Sequence, residues 1–169
     1  MATQSLRGLV AQGMGGPKLF GGATGADILG VVDTASGSGS ITTPDTCIAL
    51  CYGIGPGASG GAGSGRSNGG GGGAAVLRHV TLPKGSVIAW SVGTPGASGG
   101  VGAPGASATD TTISLPGGLV LRAGGGQSVG NAVGIGLGGQ ASGGDLNYYG
   151  GVGSAGGDGG AAQVGGSGG

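Results

Sequence analysis

The stretch Gly93-Thr94-Pro95-Gly96-Ala97-Ser98-Gly99-Gly100-Val101-Gly102-Ala103-Pro104-Gly105-Ala106-Ser107 is five consecutive triplets, each opening with glycine. A period of three belongs to neither an α-helix nor a β-strand. It belongs to polyproline II backbone, which is left-handed, has three residues per turn and makes no internal hydrogen bonds; glycine at every third place leaves one bare edge for another backbone to approach. The same step runs from Gly57 to Gly72, broken only at Arg66, and from Gly144 to Gly168, broken only at Asn147 and Ala162. Three tracts of one period predict a stack of polyglycine II helices. Their N–H and C=O groups have no partner within a helix and must bond sideways when buried. The segments expected side by side are 57–73, 93–105 and 150–168.

Composition narrows the class. With 52 glycines in 169 residues and 7% charged residues, side-chain volume is too small for a conventional core of large apolar groups. Disorder is not implied either, because hydropathy is slightly positive and no charge run is present. Six Lys or Arg balance six Asp, so no basic footprint for nucleic acid is visible. No apolar run follows a basic segment in Met1–Met14, and no span approaches the ~18 apolar residues of a membrane helix. The expectation is a soluble protein made in the cytoplasm.

Taken in order, Leu6, Leu9, Val10 and Met14 are loosely spaced for a short helix weakened by Gly8 and Gly13. Asp27–Val32 reads as a strand and Thr34–Ser40 as a linker. These observations divide the chain into an attachment segment with linker, 1–40, and a glycine-rich domain, 41–169. The run Cys47–Ile54 is a buried strand by length and flanking turn residues. Four strand steps put the Cα atoms of Cys47 and Cys51 roughly 13 Å apart, beyond the ~7 Å limit for a disulfide, so both are expected as free, buried thiols. Val76–Leu82 and Val87–Val92 read as a hairpin on a type I turn at Pro83-Lys84-Gly85, and Thr112–Leu115 with Leu119–Arg122 as a second on a type II turn at Pro116-Gly117. The fold class expected is mainly β with irregular structure: short antiparallel hairpins, a polyglycine II bundle and very little α-helix.

Three groups of residues give this order of features a resemblance. They are Thr43 to Gly73, a Thr-Pro-x-Thr strand into glycines; Val80 to Gly93; and Gly143-Gly144-Asp145-Leu146-Asn147-Tyr148-Tyr149-Gly150-Gly151. Together they resemble the glycine-rich domain of bacteriophage tail-fibre and receptor-binding (adhesin) proteins, over about Ile41–Gly169. Two departures are Lys84 between the family's Pro and Gly, and the apolar Cys47–Tyr52 in place of a more polar strand. The resemblance implies a virion protein made in the host cytoplasm, with polyglycine II helices as a rigid scaffold and loops touching a host surface receptor, a glycan or an outer-membrane protein. It also implies other virion proteins as partners and a homo-oligomer, by family habit a trimer.

No catalytic, cofactor-binding or metal-ligating residue is assigned. There is one histidine and no glutamate, and Gly-x-Gly-x-x-Gly strings arise by chance in such a chain. Cys47, Cys51 and His79 fall short of the four ligands of structural zinc, and His79 reads as a structural strand residue. Tyr148 and Tyr149 combine apolar area with a hydroxyl suited to glycan or protein contact, against the reading that they pack or cap the bundle. Ile88, Trp90 and Val92 share one strand face, which makes Trp90 a core residue. Arg66 marks a loop tip. Two alternatives to the adhesin stay open: a capsid decoration or tail component without receptor binding, and, ranked last, an ice-binding protein, which would need a row of Thr or Ala on one face.

Overall fold

The computed structural model describes residues 10–14, 26–30, 36–60, 71, 73–99, 103–128 and 135–153, the first two stretches as backbone strands only. Ten strands are assigned: β1 (Val10–Met14), β2 (Ala26–Gly30), β3 (Ser38–Thr42), β4 (Cys47–Ile54), β5 (Ala75–Leu82), β6 (Val87–Ser91), β7 (Thr111–Ser114), β8 (Val120–Ala123), β9 (Ala141–Ser142) and β10 (Leu146–Tyr148). They form two antiparallel sheets, ordered β10-β5-β4-β1-β2 and β3-β6-β7-β8-β9. Apart from the single turn Pro116–Gly118, no helical segment occurs among the described residues, as the mainly β class anticipates.

The sheets meet face to face because alternation puts one side of each strand inward. Cys47, Ala49 and Cys51 on β4 and Val76 and Leu82 on β5 are buried against Ile88, Ile113, Leu121, Ala123 and Ala141 of the second sheet. Many of these are small, so the layer is thin. Trp90 packs against this cluster from β6, opposite Gly39 on β3. A Cβ at Gly39 would strike the indole, which is why the strand carries glycine there.

Several expectations need correction. Val76–Leu82 and Val87–Val92 do not form a hairpin: β5 pairs with β4 over eight residues, whereas β6 pairs with β3 and β7 in the other sheet. The Pro83-Lys84-Gly85 turn crosses between sheets, held by Thr43. The Thr43 hydroxyl donates to Pro83 O at 2.7 Å and accepts from the Ser86 N–H at 2.9 Å, and Thr43 O accepts from the Gly85 N–H at 2.9 Å. Gly85, at φ 81°, precedes the Ser86 N–H that bonds Pro83 O at 3.1 Å, so the turn has the left-handed third residue of type II rather than type I. Ser38–Ser40 belong to β3 rather than to a linker, and Val10–Met14 to a strand rather than a helix. The second hairpin stands as expected: β7 pairs with β8, and Gly117 (φ 79°, ψ 9°) has type II geometry.

Glycine segments continue the strands. β4 runs into 55–60, 73–74 into β5, β6 into 93–99, 103–109 into β7, β8 into 124–128, 135–140 into β9, and β10 into 149–153. Neighbouring segments are joined by N–H···O bonds that recur every third residue. Gly55 and Ala58 donate to Ala74 and Gly71 at 2.8 and 2.9 Å, Ala106 and Thr109 to Ala97 and Thr94 at 2.9 and 3.0 Å, Gly124 and Gln127 to Gln140 and Leu137 at 2.9 and 2.8 Å, and Gly150 and Gly153 to Gly139 and Gly136 at 2.9 and 2.8 Å. Further bonds tie these pairs together. Gly126 donates to Pro56 and accepts from Ala108, and Ala74 donates to Gly124, each at 2.9 Å. Segment 124–127 is thus bonded to 55–60, to Gly71 and Ala74, to 103–109 and to 135–140. Four neighbours exceed what a strand serves, because its bonds lie in one plane.

Of the three tracts expected together, 57–60 bonds to the second through Gly96, which donates to Gly57, while Ser59 donates to Ala106 just beyond that tract, both at 3.2 Å. The third, at Gly150 and Gly153, bonds instead to 136–139; residues 61–70, 72, 100–102 and 154–168 of these tracts lie outside the described residues.

Candidate interaction surface

The Gly143–Gly151 element is positioned by one carboxylate. Gly143, at φ 82°, turns the chain after β9, and Asp145 then docks on β5. Its carboxylate accepts from the His79 backbone N–H at 2.8 Å and lies 3.6 Å from the Arg78 guanidinium, while the Asp145 N–H donates to Leu77 O at 2.9 Å. Arg78 also donates to Gly143 O at 3.0 Å. Inside the turn the Asn147 side chain closes on Gly144 from both ends, its Oδ1 accepting from the N–H at 3.1 Å and its Nδ2 donating to the carbonyl at 3.0 Å. The Asp-x-Asn spacing therefore has a mechanical reason: Asp145 fixes the loop to the sheet and Asn147 fixes its shape.

What this frame presents is aromatic. Tyr148 and Tyr149 are 54% and 71% exposed, with Leu146 and Val152 exposed beside them in the chain, so neither tyrosine is buried by packing. Two phenols on a braced loop can stack on a sugar ring or an apolar side chain and donate or accept through the hydroxyl.

The other residues singled out from the sequence do not converge on this element. Trp90 packs on the core, and His79 faces solvent with its backbone N–H on Asp145. Arg66 lies outside the described residues. Cys47 and Cys51 are free and buried. Burial, and secondarily the charge of Asp45, pushes the Cys47 thiol above its ordinary range; burial, and then Cys47, pushes Cys51 up to about 11. Neither is a ready thiolate nucleophile. Among the described residues no three of His, Cys, Asp or Glu are grouped as a metal site, and no helix is long and apolar enough to cross a membrane.

Sequence reasoning missed the second brace. Asp110, just before β7, accepts from Arg122 Nε at 2.6 Å and from the Gly125 N–H at 3.0 Å, tying the start of segment 124–128 to the sheet. Like the Arg78–Asp145 pair, it joins residues distant in sequence, and no local motif announces it. Set beside known proteins, the chain matches no protein-family model and none of the curated proteins.

Proposed function

We propose that this chain is a non-enzymatic structural protein of a bacteriophage virion, serving as a tail-fibre or tail-tip adhesin that recognises a host surface receptor. The observation that carries the reading is the joining of β strands directly to glycine segments cross-bonded on several sides, the scaffold that the resemblance of Ile41–Gly169 to phage adhesins implies. In this reading the glycine segments are polyglycine II helices, supported by the three-residue recurrence of their bonds and by Gly93, Gly96 and Gly99 each abutting a neighbouring backbone. A rigid support of this kind suits surface residues that bind a partner, and the exposed Tyr148 and Tyr149 are the contact residues proposed, for a glycan or an outer-membrane protein. The remaining partners are other virion proteins.

Competition for host cells tests the function. Purified protein is expected to reduce phage adsorption, Tyr149→Ala to reduce it less, and imaging of the particle to place the chain at an exposed distal end. Protein lining the shell or the tail interior, with adsorption unchanged, removes the adhesin and leaves a decoration or tail component. The helix assignment is tested by a crystal structure: backbone dihedrals near −75° and +145° are expected in 93–99 and 124–128, and sheet dihedrals there would overturn it.

A further inference from the structure

Every carboxylate and amide side chain of the Gly143–Gly151 element is engaged in holding the element itself. The Asp145 carboxylate accepts from the His79 N–H and lies 3.6 Å from the Arg78 guanidinium, Arg78 donates to Gly143 O, and the Asn147 amide closes on Gly144 from both ends. Arg78 Nε has no partner, but it is buried and out of a ligand's reach. What the element leaves exposed is Leu146, Tyr148 and Tyr149, with Val152 just beyond it at 64%. The neighbouring strand β5 adds the exposed His79 and Thr81 and no charge besides the paired Arg78. The site therefore offers apolar area, hydroxyls and one imidazole, with its carboxylate, amide and guanidinium already taken.

Resting on the adhesin reading, we propose that this element takes an uncharged, apolar patch of a receptor protein and not a glycan. Sugars differ in the arrangement of their hydroxyls, and reading that arrangement needs side chains that present several donors or acceptors in fixed geometry: amides, carboxylates and guanidinium forks. Here those groups are bonded within the protein, and turning one outward would release the turn it holds. An acidic polysaccharide would need a free Lys or Arg, and the element and β5 carry only the paired Arg78. A protein patch asks for less polar detail. It needs apolar area and a hydrogen bond at a ring's edge, which tyrosine supplies with little loss of side-chain freedom. With no free charge on the site, attraction is short-ranged and binding is insensitive to salt.

Inhibition of binding to host cells by purified fractions tests the class of receptor. Labelled full-length protein is expected to bind untreated cells, detergent-solubilised envelope protein to inhibit that binding, and purified surface polysaccharide of the same host to leave it unchanged. Val152→Asp, at an exposed position, is expected to weaken binding about tenfold with the circular dichroism spectrum retained. Raising salt from about 0.05 to about 0.5 M is expected to change binding by less than about twofold. Inhibition by the polysaccharide, no inhibition by the envelope protein, a greater salt dependence, or undiminished binding by Val152→Asp overturns the proposal while the adhesin reading stands. A protein that binds no host cell overturns the adhesin reading, and the proposal with it.

Discussion

Segments 93–99 and 124–126 are both glycine-rich, and they use glycine differently. In 93–99 the glycines fall every third residue, and a Cβ on Gly93, Gly96 or Gly99 would strike the backbone of Thr109, Ala106 or Ala103 in turn. The residues between them, Thr94, Pro95, Ala97 and Ser98, are exposed. In 124–126 three glycines stand in a row and each meets a different neighbour: Gly124 faces Gln140, Gly125 faces Ala108 and Thr109, and Gly126 faces Gly71. A segment at the surface needs one bare position per turn, and an enclosed segment needs all of them. The local density of glycine reports how many backbones surround a segment.

The comparison breaks most severely where a segment is enclosed. Gly126→Ala or Gly73→Ala drives a Cβ into backbone that cannot rotate away, and losing neighbouring lateral bonds adds to the strain. Each is expected to cost about 4 kcal/mol in denaturant unfolding, enough to leave little folded protein. At the surface the same logic is confined to one position in three. Gly99→Val is expected to cost about 2–3 kcal/mol, against less than about 0.5 kcal/mol for the exposed Ser98→Ala. Equal midpoints for these two variants would dissolve the distinction between an inner edge and an outer one.

Strand β4 responds to alkali through a buried thiol. Because Cys51 is raised from 9.0 to about 11 in the fold, the unfolded chain releases the thiol proton first. The unfolded state then binds fewer protons, so stability is full below pH 9 and falls as pH rises towards 11, by on the order of 2 kcal/mol. Thermal melts of wild type and Cys51→Ala across that window should converge as pH rises. Asp145→Ala removes a partly exposed brace and is expected to cost about 1 kcal/mol; Arg78→Ala in the same background should add less than it does alone. The smallest effect sharpens the comparison most. Gly57 shares a segment with Gly55, but a Cβ there meets only Gly71 O at an ordinary 3.6 Å, so Gly57→Ala should stay within about 0.5 kcal/mol of wild type while Gly55→Ala does not.

These distinctions also explain what was legible beforehand. The triplets of 93–107 announce a one-sided edge, and Gly93, Gly96 and Gly99 provide it. Segment 124–128 escaped notice because an enclosed segment has no single period to detect; 135–140, where Ile135, Leu137 and Gln140 are exposed and only Gly136 and Gly139 are buried, is too short a run to show its period. Pro83-Lys84-Gly85 correctly marked a turn, but a turn signal is local and does not say whether the flanking strands pair or part into two sheets; that depends on Thr43, distant in sequence. Ser38-Gly39-Ser40 has the composition of a linker because Trp90 needs the space over Gly39. Tyr148 and Tyr149 stood out as adjacent aromatics, and the recurring Asp-x-Asn element came with the resemblance. Their bracing by Arg78, 67 positions before Asp145 in no recognisable motif, did not.

The sideways bonds carry a thermal consequence. On unfolding, exposed apolar surface raises heat capacity and exposed peptide surface lowers it. In segment 124–127 what is hidden from water is mostly peptide group against peptide group, and the apolar layer between the sheets is thin. The heat-capacity increment per residue should therefore fall below the ~12–15 cal/mol/K of ordinary domains, giving a flatter dependence of stability on temperature. Cold weakens apolar burial, and a fold braced in this way gives up less to it.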